Sequence, residues 1–551
     1  MPTVLRELLA KRGIAGSESL ERYFNPSIAS LLPPDGLDGV SAAAELLLAQ
    51  SGKIVVFGDY DCDGICASAI MTRVLATLGK NVSPFLPDRL SEGYGMSASS
   101  VSRMLAEHPD VKLVVTVDNG VNSIEEVAAL REKGIAVVVT DHHLPGAELP
   151  RCNALVNPKV AAQPELSDLC GAGVAFMVAA ALVTRARERG VYSGPNLGGP
   201  LLVLAGLATI TDLMPLLGQN RIIVHEALRR FHTCAPTGIK ELYSRSAKIA
   251  STVPSSRDFA FMLGPRINAS GRMASGMEAL ELILSDDREI ARECARIVDQ
   301  RNLERKEVEQ RMVAAALEKV VPGAPAQVID LPDGHPGVAG IIASRVMESL
   351  SAKDNAAPVP VCIVTGDKGS ARAPAGVNIR DAMESCADTL ERFGGHAAAG
   401  GFSVKPGMID AFRERLCDYC RNLKIACAGE SADYGAQVDA WLAPGDITVD
   451  LAGWIARMEP FGEGNPEPLF GLRGVEFSDV KPMGLEGRHL SVAFRNRAIP
   501  RAVWWNHGDE VEKIRAASDR RYDIIFKIAL SDYGELHAEL RLSAIRPACV
   551  G

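Results

Sequence analysis

Three carboxylates at alternate positions follow a short apolar run near residue 58. The run Ile54–Phe57 is rich in β-branched residues and breaks at Gly58, and the acidic residues that come next are Asp59, Asp61 and Asp63. A buried strand that delivers acidic side chains from its carboxyl end is typical of a site for a hard divalent cation. One turn rarely supplies all the ligands of such a cation, so we expect further ligands from other parts of the chain.

Two other kinds of site share part of this pattern. The Asp-x-Asp-x-Asp-Gly spacing opens a calcium-binding EF-hand loop, but that loop needs a bidentate Glu where this chain has Ile70, and a strand precedes it rather than a helix. Asp61-Cys-Asp63-Gly64 also resembles the nucleophile turn of haloacid-dehalogenase-like phosphatases, which continues with Thr where this chain has Ile65. The segment alone therefore leaves several phosphoryl-transfer chemistries open.

Further polar residues follow later apolar runs in the same way. They are Asp118 after residues 113–117, Asp141, His142 and His143 after residues 136–140, and Asp212 after residues 201–211. Apolar runs that alternate with helical segments predict βαβ units and a parallel sheet, whose strands end at one common edge. We therefore expect the first two sets to surround one crevice with the acidic segment at 59–63. Asp212 lies among apolar residues, where an unpaired charge is costly, which favours a metal partner over a simple helix terminus.

Together these segments resemble the four motifs of the DHH phosphoesterase superfamily, in their order along the chain. By this resemblance a pair of Mn²⁺ or Mg²⁺ ions is held by Asp61, Asp63, Asp118, His142 and Asp212. The resemblance also implies that His143 and Asp61 are catalytic, with His143 near the scissile phosphate. Asp59 and Asp141 are interpreted as groups that orient the ligands.

This ligand set implies hydrolysis without a covalent intermediate. Two cations close together lower the pKa of a bridging water and stabilise the attacking and leaving oxygens of an in-line displacement. His143 could donate a hydrogen bond to the developing charge or protonate the leaving oxygen, and both roles stay open.

Composition and length bound the other possibilities. A chain of 551 residues with 47% hydrophobic and 23% charged residues is expected to fold into several globular domains. The net charge of −9 argues against a protein that coats nucleic acid, although it allows a local basic track. The longest nearly apolar run, residues 173–183, is too short to span a bilayer and predicts a buried helix, and residues 1–12 lack a signal-peptide core. We expect a cytoplasmic protein with no membrane segment.

The cysteines give one weak hint of a second metal. Cys417 and Cys420 are separated by two residues, and Cys427 follows. A structural zinc site needs a fourth ligand and usually a second close pair, so reduced thiols are favoured over zinc.

The predicted fold is a multidomain α/β chain. Its expected parts are an N-terminal helical segment (1–50), a parallel-sheet DHH catalytic domain (51–265), a loop and long connector helix (266–322), a second α/β unit (323–428) and a C-terminal OB-like β-barrel (429–551). Residues 277–321 have helical spacing without proline and predict a helix of about 40 residues, or about 60 Å. Gly264–Arg272 predicts a turn-rich cationic loop, with a solvated link as the alternative. The short alternating segments near the C-terminus predict an antiparallel barrel.

Several glycine-rich loops in the second unit suit phosphate binding, because glycines beside Ser, Arg and His let backbone amides approach an anion. The Gly-Gly-His sequence at 394–396 resembles the signature of the DHH-associated domain. The candidates for substrate contacts are Arg89, Arg266, Arg272, Ser370, Arg372 and His396. A second group is expected to contact nucleic acid further from the reaction: His335, Arg488, Arg495, Arg497 and Arg501. Cations beside Trp504 and Trp505 can neutralise phosphates while bases stack on the indole rings. The alternative is that the Trp pair belongs to the core and the arginines are solvated.

Two further segments, Pro87–Gly95 and Glu459–Pro468, narrow the resemblance to the RecJ family of single-strand-specific exonucleases, and it covers nearly the whole chain. It implies a metal-dependent exonuclease that degrades single-stranded DNA from 5′ to 3′ into mononucleotides, in DNA repair and recombination. Single-stranded DNA is the expected partner, with a single-strand-binding protein and a helicase as candidate protein partners. One alternative is a DHH phosphodiesterase for short oligoribonucleotides or cyclic dinucleotides, whose relatives lack such a barrel. The other is a non-catalytic single-stranded-DNA-binding scaffold, which the complete set of ligand types disfavours.

Overall fold

The β-branched runs of the first α/β domain form five parallel strands. These are β1 Lys53–Phe57, β2 Val82–Phe85, β3 Val111–Val117, β4 Ala136–Thr140 and β5 Ala154–Val156. Their order in the sheet is β2-β1-β3-β4-β5. The computed structural model describes residues 1–93, 95–160, 163–246, 253–354, 358–423, 438–516, 521–531 and 536–548. The predicted parallel sheet is confirmed.

Helices cover both faces of this sheet. They are α3 Val40–Ala49, α4 Cys62–Thr77, α5 Ala98–Glu107, α6 Ile124–Glu132, α7 Gly171–Glu188, α8 Gly198–Thr211, α9 Gly218–Cys234, α10 Thr237–Ser246, α11 Ser256–Asp258, α12 Gly264–Met273 and α13 Gly276–Leu284. Ile54 and Val56 pack with α4, α7 and α8, whereas Val55 and Phe57 pack with α5 and α6. The predicted buried helix at 173–183 lies within α7, and none of the described helices is long and apolar enough to cross a bilayer.

The segment expected as a cationic loop is the helix α12, so that prediction was wrong. Pro265 lies in the first turn, where its missing N–H costs no hydrogen bond. Gly271 faces the backbone of the acidic segment, where a Cβ atom would lie 2.3 Å from the carbonyl oxygen of Tyr60. The glycines that suggested a loop therefore allow α12 to pack closely beside the carboxylates.

The connector is shorter than the predicted helix of about 40 residues, and that length was wrong. The helix is interrupted at residues 285–287, between α13 and α14. Helix α14 extends over Arg288–Glu318, which is 31 residues or about 46 Å. Asp287 caps α14 by accepting the N–H groups of Glu289 and Ile290. Val298 packs in the core of the first domain and Met312 in that of the second. The helix still bridges the two domains.

The second α/β domain contains a mixed sheet. Its strands are β6 Gln327–Asp330, β7 Val361–Thr365, β8 Lys368–Arg372, β9 Leu390–Gly395 and β10 Ala399–Val404, and its helices are α15 Ala339–Asp354, α16 Ile379–Glu384 and α17 Ile409–Asn422. The sheet order is β6-β7-β8-β10-β9, and β6 and β7 alone are parallel among these described pairs. Cys417 and Cys420 are buried free thiols of α17, and Cys427 lies outside the described residues.

The C-terminal domain is a seven-stranded sheet with two helices. Its elements are β11 Ala440–Trp441, β12 Phe470–Val475, β13 Phe477–Met483, β14 His489–Phe494, β15 Ala502–Trp504, β16 Tyr522–Ser531, β17 His537–Pro547, α18 Val449–Ala456 and α19 Val511–Ala516. The order is β11-β12-β16-β17-β15-β14-β13. Two pairs, β11 with β12 and β15 with β17, are parallel and the other four described pairs are antiparallel, which agrees with the predicted OB-like barrel. Among the described strands, β11 and β13 are the two edge strands of this sheet.

The N-terminal helical segment divides between two domains. Helices α1 Thr3–Lys11 and α2 Ser17–Phe24 pack into the barrel core, where Leu5 and Leu9 share a cluster with Phe470 and Leu451. Helix α3 instead packs on the first α/β domain. The first 24 residues therefore complete the core of the last domain in the chain.

Candidate metal centre and substrate pocket

The carboxylates that follow β1 are positioned by the start of α4. Asp61 caps this helix and accepts the N–H of Gly64 at 3.0 Å. Asp63 lies in the first turn, and its two oxygens accept the N–H groups of Gly171 and Ala172, each at 2.7 Å, at the start of α7. The N-terminus of a helix favours negative charge, so α7 holds the Asp63 carboxylate in a fixed position.

Asp118 enters the crevice through an unusual backbone conformation. Its φ angle is +64°, in the left-handed region that most residues avoid and that Asp tolerates better than most. The backbone N–H of Asp118 donates to the Thr140 carbonyl at 3.0 Å, which ties the end of β3 to β4. Gly171 lies directly against the carboxylate, and a Cβ atom there would lie 2.4 Å from Asp118 Oδ1. A glycine at this position makes room for the carboxylate.

His142 joins carboxylates from three parts of the chain. Its Nε2 atom lies 3.1 Å from Asp118 Oδ1, 3.6 Å from Asp212 Oδ2 and 3.7 Å from Asp63 Oδ2. Burial lowers the pKa of His142 despite these carboxylates. The neutral imidazole that results is the form that binds metals.

Three overlapping groups of side chains could hold cations. They are Asp63, His142 and Asp212; Asp59, Asp61 and Asp118; and Asp118, His142 and His143. Within each group the candidate ligand atoms lie within 4.8 Å of one another. Asp59 Oδ1, Asp118 Oδ1 and Asp212 Oδ2 are buried without a hydrogen-bond partner among the described residues. Buried carboxylate oxygens without donors fit a pair of hard divalent cations. Asp59, expected as an orienting group, lies among the possible ligands.

The metal-free cluster carries a large electrostatic penalty. Burial and the charge of Asp61 raise the pKa of Asp59 to about 8. Burial and the charge of Asp63 likewise raise the pKa of Asp212 to about 8, and burial raises the pKa of Asp118 well above its ordinary value. Divalent cations would offset both the burial and the mutual repulsion of these carboxylates.

Asp141 organises the two histidines and belongs to none of the three groups of possible ligands among the described residues. It accepts the N–H of Val121 at 2.9 Å, of His142 at 2.7 Å and of His143 at 3.1 Å. Its Oδ1 atom also lies 2.8 Å from His143 Nδ1. Burial lowers the pKa of His143, but the contact with Asp141 outweighs this and raises it to about 9. A protonated His143 can donate its Nε2 proton to a phosphate oxygen.

Three asparagines support the centre and were not identified from the sequence. Asn268 of α12 accepts the N–H of Cys62 at 2.8 Å, Asn119 Nδ2 donates to the Val117 carbonyl at 2.9 Å, and Asn157 Nδ2 donates to the His143 carbonyl at 3.0 Å. Two of them stand in segments that the sequence had marked, since Asn119 follows Asp118 and Asn268 lies in the expected loop. Their roles depend on contacts between distant segments, which spacing does not reveal.

A pocket of about 310 Å³ lies between the two α/β domains. Its lining includes Tyr60 and Arg89 from the first domain and Ser370 from the second. The guanidinium of Arg89 lies 5.0 Å from the centre of the Tyr60 ring. Burial and the charge of Arg89 lower the pKa of Arg272 to about 10 and also lower that of Arg372, although neither side chain belongs to the described lining of the pocket. The cationic side chains of the described lining are Arg89, Lys368 and Arg392, which fit an anionic ligand.

Other candidate substrate residues lie elsewhere. Arg266 is held by Asp299, with 2.8 Å between Nε and Oδ1, and its Nη1 donates to the Met262 carbonyl at 2.8 Å. His396 is exposed in the turn between β9 and β10, and His335 Nδ1 accepts the N–H of Gly337 at 3.1 Å. The described lining of the pocket includes none of these three side chains.

The barrel carries an exposed group of arginines. They are Arg488, Arg495, Arg497 and Arg501. Arg495 lies 3.6 Å from Glu476, and Arg501 donates to Ser491 Oγ at 3.1 Å. Trp505 is 47% exposed, whereas Trp504 stacks on His507 at 3.9 Å between ring centres. Trp505 can therefore receive a base, and Trp504 is already stacked.

Comparison with known proteins extends this picture to the whole chain. Residues 53–199 match the DHH family, N-terminal domain; residues 323–422 match the DHHA1 domain; and residues 438–542 match the RecJ OB domain. The chain is 37% identical over 501 residues to the single-stranded-DNA-specific exonuclease RecJ of Thermus thermophilus, covering 90% of this chain and 69% of that protein. It is 36% identical over 518 residues to RecJ of Dickeya dadantii, covering 89% and 86%.

Solved structures agree with the sequence matches. The crystal structure of Thermus thermophilus RecJ in complex with Mn²⁺ superposes with a TM-score of 0.77 at 30% identity, covering 99% of this chain and 78% of that one. The Mg²⁺ complex of the same protein superposes with a TM-score of 0.72 at 28% identity, covering 99% and 77%. The three matched domains and the two relatives all lead to one assignment. The chain belongs to the RecJ family of the DHH phosphoesterases.

Proposed function

We propose that this protein removes mononucleotides from the 5′ end of single-stranded DNA in repair and recombination. Its membership of the RecJ family makes it a metal-dependent exonuclease for single-stranded DNA. The observation that carries the activity is the meeting of His142 Nε2 with three carboxylates within 3.7 Å. Of these carboxylates, Asp118 and Asp212 each have a buried oxygen without a hydrogen-bond partner among the described residues, which favours the binding of cations.

The proposed ligands are Asp61, Asp63, Asp118, His142 and Asp212, and the geometry supports Asp59 as a sixth. When bound, Mn²⁺ or Mg²⁺ would activate the attacking water and neutralise charge on the scissile phosphate. The main chain at the start of α7 holds Asp63 in place for this task.

His143 is proposed to act directly on the phosphate. Its Nδ1 atom lies 2.8 Å from Asp141 Oδ1, which fixes the ring, and its Nε2 proton would be donated to the substrate. The raised pKa keeps this proton in place at neutral pH in the metal-free protein. It can stabilise negative charge on a phosphate oxygen or protonate the leaving oxygen.

The pocket between the domains supports the proposed polarity and product. A volume of about 310 Å³ is at the lower end of the range for small-ligand pockets and suits a single terminal nucleotide rather than a duplex. Arg89 of the pocket lining would bind the terminal 5′ phosphate, and the Ser370 hydroxyl could contribute a hydrogen bond. Arg272 and Arg372, whose pKa values the charge of Arg89 lowers, would add positive charge from outside the described lining. The strand beyond the first nucleotide would then pass over the crevice to the barrel.

The exposed arginines of the barrel and Trp505 would guide the rest of the strand. Arginine neutralises phosphates, and an exposed indole stacks with any base, so the surface suits a strand of any sequence. An enzyme that accepts only single strands needs duplex DNA to be unwound, so we include a helicase and a single-strand-binding protein as proposed partners. The same proposal puts the enzyme in the cytoplasm.

The proposal is tested by digesting a long single strand labelled at either end. Reactions contain Mn²⁺, Mg²⁺ or EDTA, with a duplex of the same sequence as substrate control and Asp118→Asn as protein control. We expect mononucleotides from the 5′ end only, with no release in EDTA or from the variant. Release from the 3′ end would refute the polarity. Inactivity on the long strand together with turnover of a dinucleotide would favour the short-substrate phosphodiesterase instead.

A further inference from the structure

The loop at residues 458–465, here called the barrel loop, contacts the first domain beside a proposed metal ligand. It begins at the end of α18 and overlaps a segment that resembles the RecJ family, yet it contributes no candidate catalytic group. Its contacts lie on the short stretch of chain that follows Asp212. The barrel loop is therefore placed to influence that ligand.

The approach of the two segments is close. The N–H of Leu216 donates to the Glu463 carbonyl at 2.8 Å. A Cβ atom at Gly462 would lie 2.7 Å from Leu216 Cδ1, and one at Gly464 would lie 3.2 Å from Pro215 Cβ. Gly464 also has a φ angle of +69°. A larger residue at 464 would be strained and would press on Pro215.

The barrel loop is itself fixed by buried polar groups. Asn465 is 1% exposed, its Nδ2 donates to the carbonyls of Met458 and Pro460 at 3.0 and 2.8 Å, and its Oδ1 accepts the Tyr23 hydroxyl at 2.8 Å. Arg221 of α9 donates from Nη2 to the Met458 carbonyl at 3.1 Å, and its guanidinium lies 3.9 Å from the centre of the Tyr23 ring. The loop thus behaves as a rigid part of both domains.

A fourth contact joins the barrel loop to a different part of the first domain. Ser256, the first residue of α11, donates from Oγ to the Phe461 carbonyl at 2.7 Å. The contacts are spread over the loop before α9, helix α9 and helix α11, through Leu216, Arg221 and Ser256 respectively. Together they fix the position of the loop, and through it the position of the chain after Asp212.

Asp212 depends on this stretch because it stands at the very end of α8. The next residue, Leu213, has a φ angle of +56°, a conformation that a branched side chain adopts only when its surroundings impose it. The N–H of Met214 donates back to the Thr209 carbonyl at 3.1 Å. Beyond it, Pro215 is held by Asn220 Nδ2, at 3.1 Å from its carbonyl, and by the barrel loop.

We infer that the barrel loop positions Asp212 for its cation, with Gly464 and Asn465 as positioning residues. This inference rests on the proposed metal centre and adds a dependence of that centre on the docking of the barrel. The carboxylate of Asp212 lies 3.6 Å from His142 Nε2. A displacement of Pro215 would move the carboxylate away from the histidine and weaken the binding of one cation while the other keeps its ligands.

The test compares Gly464→Ala with Gly474→Ala. Both glycines lie in the barrel domain with positive φ angles, +69° and +61°, so both substitutions impose a similar backbone strain. The nearest atom to a Cβ at Gly474 belongs to Arg521 at 3.9 Å, far from the first domain, which makes it a matched control. The measurements are the number and affinity of Mn²⁺ ions by titration calorimetry of EDTA-stripped protein, and the EPR spectrum of the coupled Mn²⁺ pair.

We expect wild type and Gly474→Ala to bind two ions alike. Gly464→Ala should bind one ion about tenfold more weakly and lose the spectrum of the coupled pair at limiting Mn²⁺. Equal binding by the two variants would overturn the inference and leave the metal centre intact. Asp212→Asn is the reference for loss of that ion. Unchanged binding by Asp212→Asn would refute the ligand assignment in the proposed function.

A second variant decides the question if Gly464→Ala does not fold. Ser256→Ala removes the hydrogen bond to the Phe461 carbonyl and adds no atoms. We expect it to weaken the same ion by a smaller factor than Gly464→Ala. Hydrogen exchange at residues 458–465 measures how far this substitution loosens the contact of the barrel loop. If the contact is loosened and both ions still bind with wild-type affinity, the inference is overturned.

Discussion

His142 Nε2 lies 3.1 Å from Asp118 Oδ1, although the two residues follow different strands. Both strands are parallel and adjacent in the sheet, so their carboxyl ends meet. The contact brings a neutral imidazole and a carboxylate together in one buried space, an arrangement that becomes favourable when a cation joins them.

Asp118→Asn should abolish cleavage and leave strand binding intact. Asn tolerates the φ angle of +64° and keeps the shape of the side chain, but it removes the charge that a cation requires. Loss of a direct ligand should reduce kcat by more than about 100-fold, since even indirect supports of a metal are worth 10- to 100-fold. Asp110→Asn, an exposed carboxylate just before β3, is the control. Full activity of Asp118→Asn in nuclease assays would refute its role as a ligand.

Asp141→Asn should lower the pKa of His143 in metal-free protein. The pKa is raised to about 9 because the Asp141 contact outweighs burial, so removal of the Asp141 charge should lower the pKa of His143. The raised pKa of His143 adds to the free energy of unfolding of the metal-free protein below pH 6.5, and this contribution is lost as the pH rises through about 9. NMR titration of the imidazole resonances in wild type and Asp141→Asn measures this directly. An unshifted His143 titration would contradict the proposed pairing.

The metal-free protein should lose stability between pH 4 and pH 8. Asp59 and Asp212 ionise near pH 3.8 when unfolded but near pH 8 when folded, so their contribution is present below pH 3.8 and disappears as the pH rises through about 8. Calorimetry should give a higher melting temperature at pH 5 than at pH 8 for the transition of the first domain.

Addition of Mn²⁺ should reverse that order. A cation competes with protons for the carboxylates, so it binds more tightly at pH 8 than at pH 5. At 100 times its dissociation constant, one bound ion adds about 2.7 kcal/mol to the free energy of unfolding. Asp118→Asn serves as the control that responds weakly to Mn²⁺. Equal stabilisation of wild type at both pH values would argue that Mn²⁺ binds elsewhere.

Arg89→Ala should raise the KM for single strands that carry a 5′ phosphate. A hydrogen bond to a charged group is worth about 1.5–3 kcal/mol, so the increase should be at least about tenfold. Strands with a 5′ hydroxyl should be affected less, because they lack the terminal dianion. Arg380→Ala, an exposed arginine of α16, is the matched control. An equal loss on both substrates would show that Arg89 does not bind the terminal phosphate.

Substitution of Arg488 and Arg497 by Ala should weaken the binding of long strands and leave dinucleotide hydrolysis unchanged. Each phosphate of a single strand that an arginine no longer neutralises should reduce the slope of log K against log salt by about 0.7. Binding is measured by fluorescence anisotropy of an inactive Asp118→Asn background at several salt concentrations. Lys133→Ala, an exposed lysine at the end of α6, controls for the general loss of positive charge. An unchanged slope would remove the barrel arginines from the path of the strand.

The sequence predicted the parts of the centre that depend on short-range patterns. Runs of Val and Ile mark buried strands, and a polar residue directly after such a run must lie at the edge of the sheet, so Asp118 and His142 could be placed together. The sheet and its covering helices followed from the same periodicity. The connector was anticipated in position, but its break at 285–287 depends on the cap formed by Asp287, which competes with a continuous helix.

Contacts between distant segments could not be predicted from the sequence. The Gly- and Pro-rich stretch at 264–272 reads as a loop by propensity, but it is a helix because Gly271 and Asn268 fit against the acidic segment. Arg266 resembled a free cation because its partner, Asp299, lies 33 residues away. Asp59 was interpreted as a support, and only the backbone geometry after β1 brings it among the possible ligands.

The pairing of the first helices with the last domain has a consequence for synthesis on the ribosome. Arg12 donates to the Pro466 carbonyl across 454 residues of chain, and Leu5 and Leu9 fill a core made of later strands. At a synthesis rate of about 5–20 residues per second, the apolar faces of α1 and α2 remain uncovered for on the order of 20 to 90 s before the residues that cover them are made. During that time they are a natural ligand for chaperones. The barrel, in turn, cannot mature in a fragment that begins after residue 24.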